Sequence, residues 1–348
     1  MKTVVQNNLD GGKSSMGVTI KDVAKEANVS PSTVSRVIAG SDRISEETKK
    51  RINEAIKKLN YHPNAIARSL ANKTTNVIGI VMPREAEDLF KNPFFIQAMT
   101  GISTYVQEAG YYIMYTFCKR EEEELSAIQN YINSNLVDGI ILMLARVHDK
   151  CIKYLQEVDF PFVVIGRPED TKNVLWVDND NFQAMYNAVS KLFISGHKEI
   201  AYIGAKKELN VSKDRLEGYK QAHKIHGIDI DESLIMEVED FKENLGYEAM
   251  KQMMKVKKPT ALVATDDLLA FGANNYLNEN GIKSISIIGF NNTPFAEYQK
   301  PSLSSVDINS NKLGYYAAKL LVDRLTNNIK HKHYIIETRL IERESTNY

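Results

Sequence analysis

Cysteine is nearly absent. Two residues in 348, Cys118 and Cys151, are too few and too far apart for a disulfide scaffold or a zinc site, which fits a reducing cytoplasm. Apolar residues make up 43% but come in short runs, and none nears the roughly 20 consecutive apolar residues that span a bilayer. No membrane partner is therefore expected. The first fifteen residues (MKTVVQNNLDGGKSS) lack an apolar h-region and a cleavage pattern, so no signal peptide is predicted. Met16 opens a second start, and residues 1–17 read as an extension without a fold of its own. Glycine-rich nucleotide fingerprints, HExxH and GxSxG are missing, and the seven histidines show no metal-ligand spacing. Neither a metal, a cofactor nor a catalytic residue is expected, and the chain does not read as an enzyme. Asp266 and Asp267 are adjacent carboxylates, but neighbours at a helix start point different ways, and capping by Asp267 explains them more simply than acid–base chemistry.

Net charge is also missing, yet its zero hides an asymmetry. Val18 to Asn76 holds eleven Lys or Arg against six Asp or Glu, a surplus of five; residues 1–17 add one, so the remainder carries a deficit of six. A basic head favours a polyanionic partner, whereas the acidic body would be repelled by one.

Within the head, Ile20, Val23, Ala24 and Ala27 recur at helical spacing. Asn28-Val29-Ser30 interrupts them, and Ser30 with Pro31 then forms an N-cap and first turn for a second helix reaching about Ile38. Ser45 caps a third, with Glu46 and Glu47 in its first turn and Ile52, Ala55, Ile56 and Leu59 inward. Two helices joined by a three-residue turn, the second carrying Ser32, Thr33, Ser35 and Arg36 outward, have the form of a helix-turn-helix. Hydroxyls suit phosphates and base edges, and an arginine can fork onto guanine; a solvated Ser/Thr-rich helix is the plainer alternative. The domain boundaries predicted are 18–62 for this head, 63–76 for a short helical segment ("NAIARSLAN") and linker, and 77–348 for the body.

From Val77 the pattern changes. "VIGIVM", "YYIMYTF", "VDGIILML" and "FPFVVIG" read as buried strands separated by helical spacers, followed by a second series, "EIAYIG", "TALVAT" and "SISIIGF". Two successive alternating blocks predict two doubly wound parallel-sheet α/β subdomains behind the small all-α head.

"TIKDVAKEANVSPSTVSRVIAG", "ISEETKKRINEAIKKLNYHPNAIARSLAN", "DNDN", "DRLEGY", "ATDDLLAFG" and "ISIIGFNNTPFAEYQKPSLSSVD" together resemble the lactose-repressor family of bacterial transcription regulators, over essentially Val18 to Glu344. The resemblance implies a sequence-specific repressor that binds a pseudopalindromic operator in double-stranded DNA as a homodimer. It implies that Ser32, Thr33 and Arg36 read bases, and that Thr19, Ser30 and Ser35 lie nearer phosphates. It further implies that "NAIARSLAN" is a hinge helix in the minor groove, with Leu70 as the wedge and Asn64 and Arg68 beside it. Position 31, usually a base-contacting side chain, is proline here.

For the body, the resemblance implies a periplasmic-binding-protein-like fold with a small-molecule effector between the lobes. Its contacts would be Phe94, Phe95, Arg215, Phe241, Asp266 and Asn291. Core packing is the alternative for both Phe94 and Phe95, and equally for Trp176 and Tyr202, which could otherwise extend an aromatic platform. Asn291 stands where many relatives carry an aspartate, and its amide suits a neutral polyol. "LFKNPFF", "VDNDN", "DRLEG" and "GFNN" look most like the maltose and maltodextrin branch, implying a maltose-type sugar effector. A global catabolite regulator with a phosphorylated carrier protein as corepressor, and a sugar-binding protein without a DNA role, are the alternatives.

Overall fold

The computed structural model describes residues 18–38, 40–62, 74–83, 92–205 and 208–346. The predicted hinge segment, with Asn64, Arg68 and Leu70, lies outside them, as does the extension 1–17. The chain divides into two compact units between Thr74 and Thr75.

The head is three helices, α1 (Ile20–Glu26), α2 (Pro31–Ile38) and α3 (Glu46–Lys58). Val23, Ala24 and Ala27 meet Val34, Ile52 and Ala55 in one small core, with Tyr61 closing it. The tight α1–α2 turn needs a left-handed residue, and Asn28 supplies it at φ 52°. Ser30 Oγ then accepts from Thr33 N at 3.2 Å, capping α2. Ser45 does the same for α3 through Thr48 N. Lys58 reaches back to Glu26 at 2.6 Å, tying the end of α3 to α1.

The body holds two six-stranded sheets. The first contains β1 (Val77–Met82), β2 (Tyr112–Phe117), β3 (Gly139–Leu142), β4 (Phe162–Ile165), β5 (Leu175–Asn179) and β11 (His333–Ile336), in the order β11-β5-β4-β3-β1-β2. The second contains β6 (Ile200–Ala205), β7 (Ile235–Val238), β8 (Ala261–Ala264), β9 (Ser286–Phe290), β10 (Ser304–Asp307) and β12 (Arg339–Ile341), in the order β12-β10-β9-β8-β6-β7. Every neighbouring pair is parallel except β10 with β12. The helices are α4 (Pro93–Glu108), α5 (Glu121–Asn133), α6 (Lys150–Glu157), α7 (Asn181–Ile194), α8 (Asn210–His226), α9 (Glu243–Val256), α10 (Asp267–Glu279) and α11 (Ser310–Leu325).

Helix pairs approach through glycine. A Cβ on Gly101 of α4 would meet the Asn311 carbonyl of α11, and one on Gly272 of α10 the Glu243 carbonyl of α9. Backbones at that separation leave no room for a methyl group, so each lobe carries a closely docked pair on its sheet.

Two expectations are corrected. The lobes are not successive blocks: after β5 the chain enters the second lobe, after β10 it returns as α11 and β11 to the first, and β12 closes the second. Apolar runs mark strands but carry no label for the sheet they join. "YYIMYTF" is an edge strand and not a buried one, with Tyr112 and Tyr115 72% and 53% exposed. Aromatic side chains fit a half-covered pleat as well as a core.

Candidate functional site

On the head, Ser32, Ser35 and Arg36 are exposed along α2 while Val34 faces the core and Thr33 is half-buried. Ser30 Oγ lies 2.7 Å from Ser32 Oγ and 2.8 Å from Thr33 Oγ1, so three of the predicted DNA contacts form one hydroxyl cluster at the start of α2. Thr19 precedes α1, and its backbone N and hydroxyl both donate to Asp22 Oδ2, at 2.8 and 2.7 Å. Those bonds, the hydroxyl's first, hold the Asp22 carboxyl below its ordinary range.

In the body a cavity of about 110 Å³ sits between the lobes, where the carboxyl ends of the parallel strands converge. All six predicted effector residues line it: Phe94, Phe95, Arg215, Phe241, Asp266 and Asn291. Phe94 and Phe95 pack edge to face at 5.1 Å; Phe95 is buried in the core and Phe94 packs against it, while both also line the cavity. A larger trough of about 1120 Å³ runs over α9 and α10 and shares only Asn92 and Phe241 with the cavity. It is an open surface feature away from most strand ends, whereas the cavity gathers all six expected effector residues.

Arg215 is 4% exposed. Its Nε donates to Asn181 Oδ1 at 3.0 Å, its Nη1 to the Thr265 carbonyl at 2.5 Å, and its guanidinium carbon lies 4.4 Å from the Phe290 ring centre. Burial pushes its pKa down, opposed by the charges of Asp266 and Asp178. Asn181 is held in turn by Asp178, whose Oδ1 accepts from Asn181 Nδ2 at 2.9 Å and from Asn179 N at 2.8 Å, while Oδ2 accepts from Arg167 N at 2.8 Å. Burial lifts the Asp178 carboxyl to about 6 despite these bonds. The relay Asp178–Asn181–Arg215 places a forked cation in an apolar cleft beside acceptors, a set suited to vicinal hydroxyls with aromatic faces for their C–H side.

One expectation for the two neighbouring aspartates is corrected: Asp266, which lines the cavity, also makes the helix cap expected of Asp267. Asp266 is the N-cap of α10, its Oδ1 accepting from Leu268 N at 2.7 Å, and its Oδ2 accepts from Asn291 Nδ2 at 2.7 Å. Asp267 lies fully buried below, accepting from Ser305 Oγ at 2.6 Å and Thr293 N at 2.7 Å, with its pKa lifted by burial to about 7. Trp176 and Tyr202 are core residues: Trp176 stacks on His333 at 4.6 Å, Tyr202 is 1% exposed, and neither lines the cavity. Sequence reasoning did not assign Asp178, Asn181 and Asn210, which line it too. For Asp178 and Asn181 the signal was the Asp/Asn run directly after the apolar "LWV", where a strand ends, whereas Asn210 opens α8 and carried no such signal.

Residues 19–64 match the model of bacterial regulatory proteins of the lacI family, and residues 189–346 that of periplasmic binding protein-like domains. The chain is 39% identical over 334 residues to the HTH-type transcriptional regulator MalR of Streptococcus pneumoniae, covering 94% of this chain and 100% of that protein. A solved complex of the transcriptional regulator CelR with cellobiose shares 29% identity at a TM-score of 0.73, covering 94% of this chain and 99% of that one. The lac repressor dimer bound to operator and an anti-inducer shares the fold at a TM-score of 0.81, with 22% identity over 94% of this chain and 99% of that one. With a helix-turn-helix head, two parallel α/β lobes and regulators as its relatives, the chain belongs to the lacI family of bacterial regulatory proteins and is a DNA-binding transcription regulator.

Proposed function

We propose that the protein represses transcription by binding a pseudopalindromic operator as a homodimer and is released by a maltose-type sugar, maltose or a maltodextrin. The observation that carries the sugar is the cleft itself: Arg215, Asp266, Asn291 and Asp178 converge on one cavity beside Phe94, Phe95 and Phe241. Fixed donors and acceptors facing aromatic rings match a carbohydrate's alternating hydroxyl and C–H surface. The CelR complex with cellobiose, a glucose disaccharide, supports that ligand class.

On DNA, Ser32, Thr33 and Arg36 meet base edges while Thr19, Ser30 and Ser35 approach phosphates, and Asn64, Arg68 and Leu70 of the hinge enter the minor groove. One small head has little affinity alone, so a second copy supplies the matching half-site. The exposed side chains of β2, and Phe295 and Tyr298 at the rim of the α9–α10 trough, are apolar surface on which a second copy can close. Working on DNA places the protein in the cytoplasm. Release requires the sugar to prefer one arrangement of the lobes, and operator DNA then weakens sugar binding by the same factor.

The test is retention of fragmented genomic DNA from the source organism on the purified protein, washed at fixed salt with maltose, maltotriose or cellobiose. Enrichment of a few palindrome-bearing fragments eluted by the first two supports the reading. Elution by cellobiose alone replaces the sugar, and no enrichment removes the repressor function.

A further inference from the structure

Two loops from opposite lobes are joined across the mouth of the cleft. Val147 N donates to the Glu208 carbonyl at 2.9 Å and Asn210 N to the Ala145 carbonyl at 3.3 Å, an isolated antiparallel bridge centred on Arg146 and Leu209. Asn210 Nδ2 adds a third bond, to the Arg167 carbonyl at 2.9 Å. Ala145, Leu209 and Asn210 all line the effector cavity, so this bridge is part of its wall.

A two-residue bridge between loops has little stability unless its backbone is held from behind. Arg146 supplies that hold. Its guanidinium forks onto both carboxylate oxygens of Glu124 on α5, at 2.9 and 2.5 Å, and Glu124 is 4% exposed. Its backbone N donates to Asp149 Oδ2 at 3.2 Å, while Asp149 Oδ1 caps α6 through Cys151 N and Ile152 N. Residue 146 is thus pinned into the first lobe at both ends, and residues 145 and 147 turn their polar groups to the second lobe.

We propose that Arg146, forked onto Glu124, is a positioning residue for effector binding: it holds the 145–147 backbone in the register that closes the second lobe over the sugar. Arg146 does not line the cavity, and its effect runs through the bridge. The inference rests on the cleft being the sugar site.

The experiment compares the full-length protein with the double variant Glu124→Leu/Arg146→Met, which removes the buried pair as a whole and leaves Asp149, 4.0 Å from the guanidinium, on its backbone N–H partners. In the sugar-free protein, deuterium uptake at the Val147 amide should be about tenfold faster in the variant, with uptake in β4 unchanged. Maltose dissociation, followed by stopped-flow fluorescence, should also be about tenfold faster with association nearly unaltered, the loss of roughly one hydrogen bond's worth of closure. Operator affinity without sugar should stay at the wild-type value. Arg146→Lys, keeping the charge but not the fork, should fall between the two. Unchanged Val147 exchange overturns the proposal, as does faster exchange with unaltered maltose dissociation. Should the double variant not fold, Arg146→Lys takes its place, and unaltered exchange at Val147 there overturns the proposal equally. If the wild type takes up no maltose, the proposed effector fails by itself, and Val147 exchange still decides whether Arg146 holds the bridge.

Discussion

The side-chain amide of Asn291 donates to Asp266 Oδ2 over 2.7 Å, joining the turn after β9 to the cap of α10. Asn291 sits at φ 101°, and its backbone N is fixed to the Val306 carbonyl at 2.9 Å, so the amide has few alternatives. An acceptor in its place would set two carboxylates against each other in a buried site.

Asn291→Asp should therefore need about tenfold more maltose for operator release at about pH 8, recovering toward about pH 5 as one carboxyl of the pair takes a proton and donates. Fluorescence anisotropy of labelled operator across that range measures it. A variant indistinguishable from wild type at high pH would separate this pair from sugar recognition.

Asp267 carries a pKa lifted by burial from 3.8 to about 7. A carboxyl that holds its proton more tightly folded than unfolded favours folding fully below its ordinary value, and that contribution is lost as pH rises through about 7. Thermal midpoints of wild type should fall between about pH 5 and about pH 8 more steeply than those of Asp267→Asn, and parallel curves would refute the assignment.

Arg36→Ala should weaken operator binding by about 1–3 kcal/mol and relax sequence preference at one position, leaving sugar affinity unaltered. A uniform loss over all sequences with a smaller salt slope would assign Arg36 to phosphate instead.

Arg215→Ala should leave operator affinity intact and abolish release by sugar, whereas Leu70→Ala should do the opposite. Gel-shift titrations with and without maltose separate the two, and normal release by the Arg215 variant would remove it from the site.

Gly101→Ala puts a methyl group against the Asn311 carbonyl. The α4–α11 pair must move apart, at a cost of about 1–3 kcal/mol read from urea unfolding.

The local elements were legible because their causes are local. Ile20, Val23, Ala24 and Ala27 repeat at helical spacing in one segment and Ile52, Ala55, Ile56 and Leu59 in another, Ser30 and Ser45 cap, and the apolar runs from "VIGIVM" to "SISIIGF" read as strands. The weakly patterned strands were not legible: "SSVD" becomes β10 and "RLI" becomes β12 through their neighbours in the second sheet, not through their own residues. Likewise the exchange of α11 and β11 into the first lobe depends on packing such as the glycine contact with α4. At the cleft, the family resemblance of their motifs marked Arg215, Asp266 and Asn291. Which aspartate caps α10 and which is buried, how Asp178 steers Arg215 through Asn181, and how Arg146 closes on Leu209 all follow from residues far apart in the chain. Such distances carry no sequence period, and hydrogen bonds between them exist only once the two sheets have brought their strand ends together.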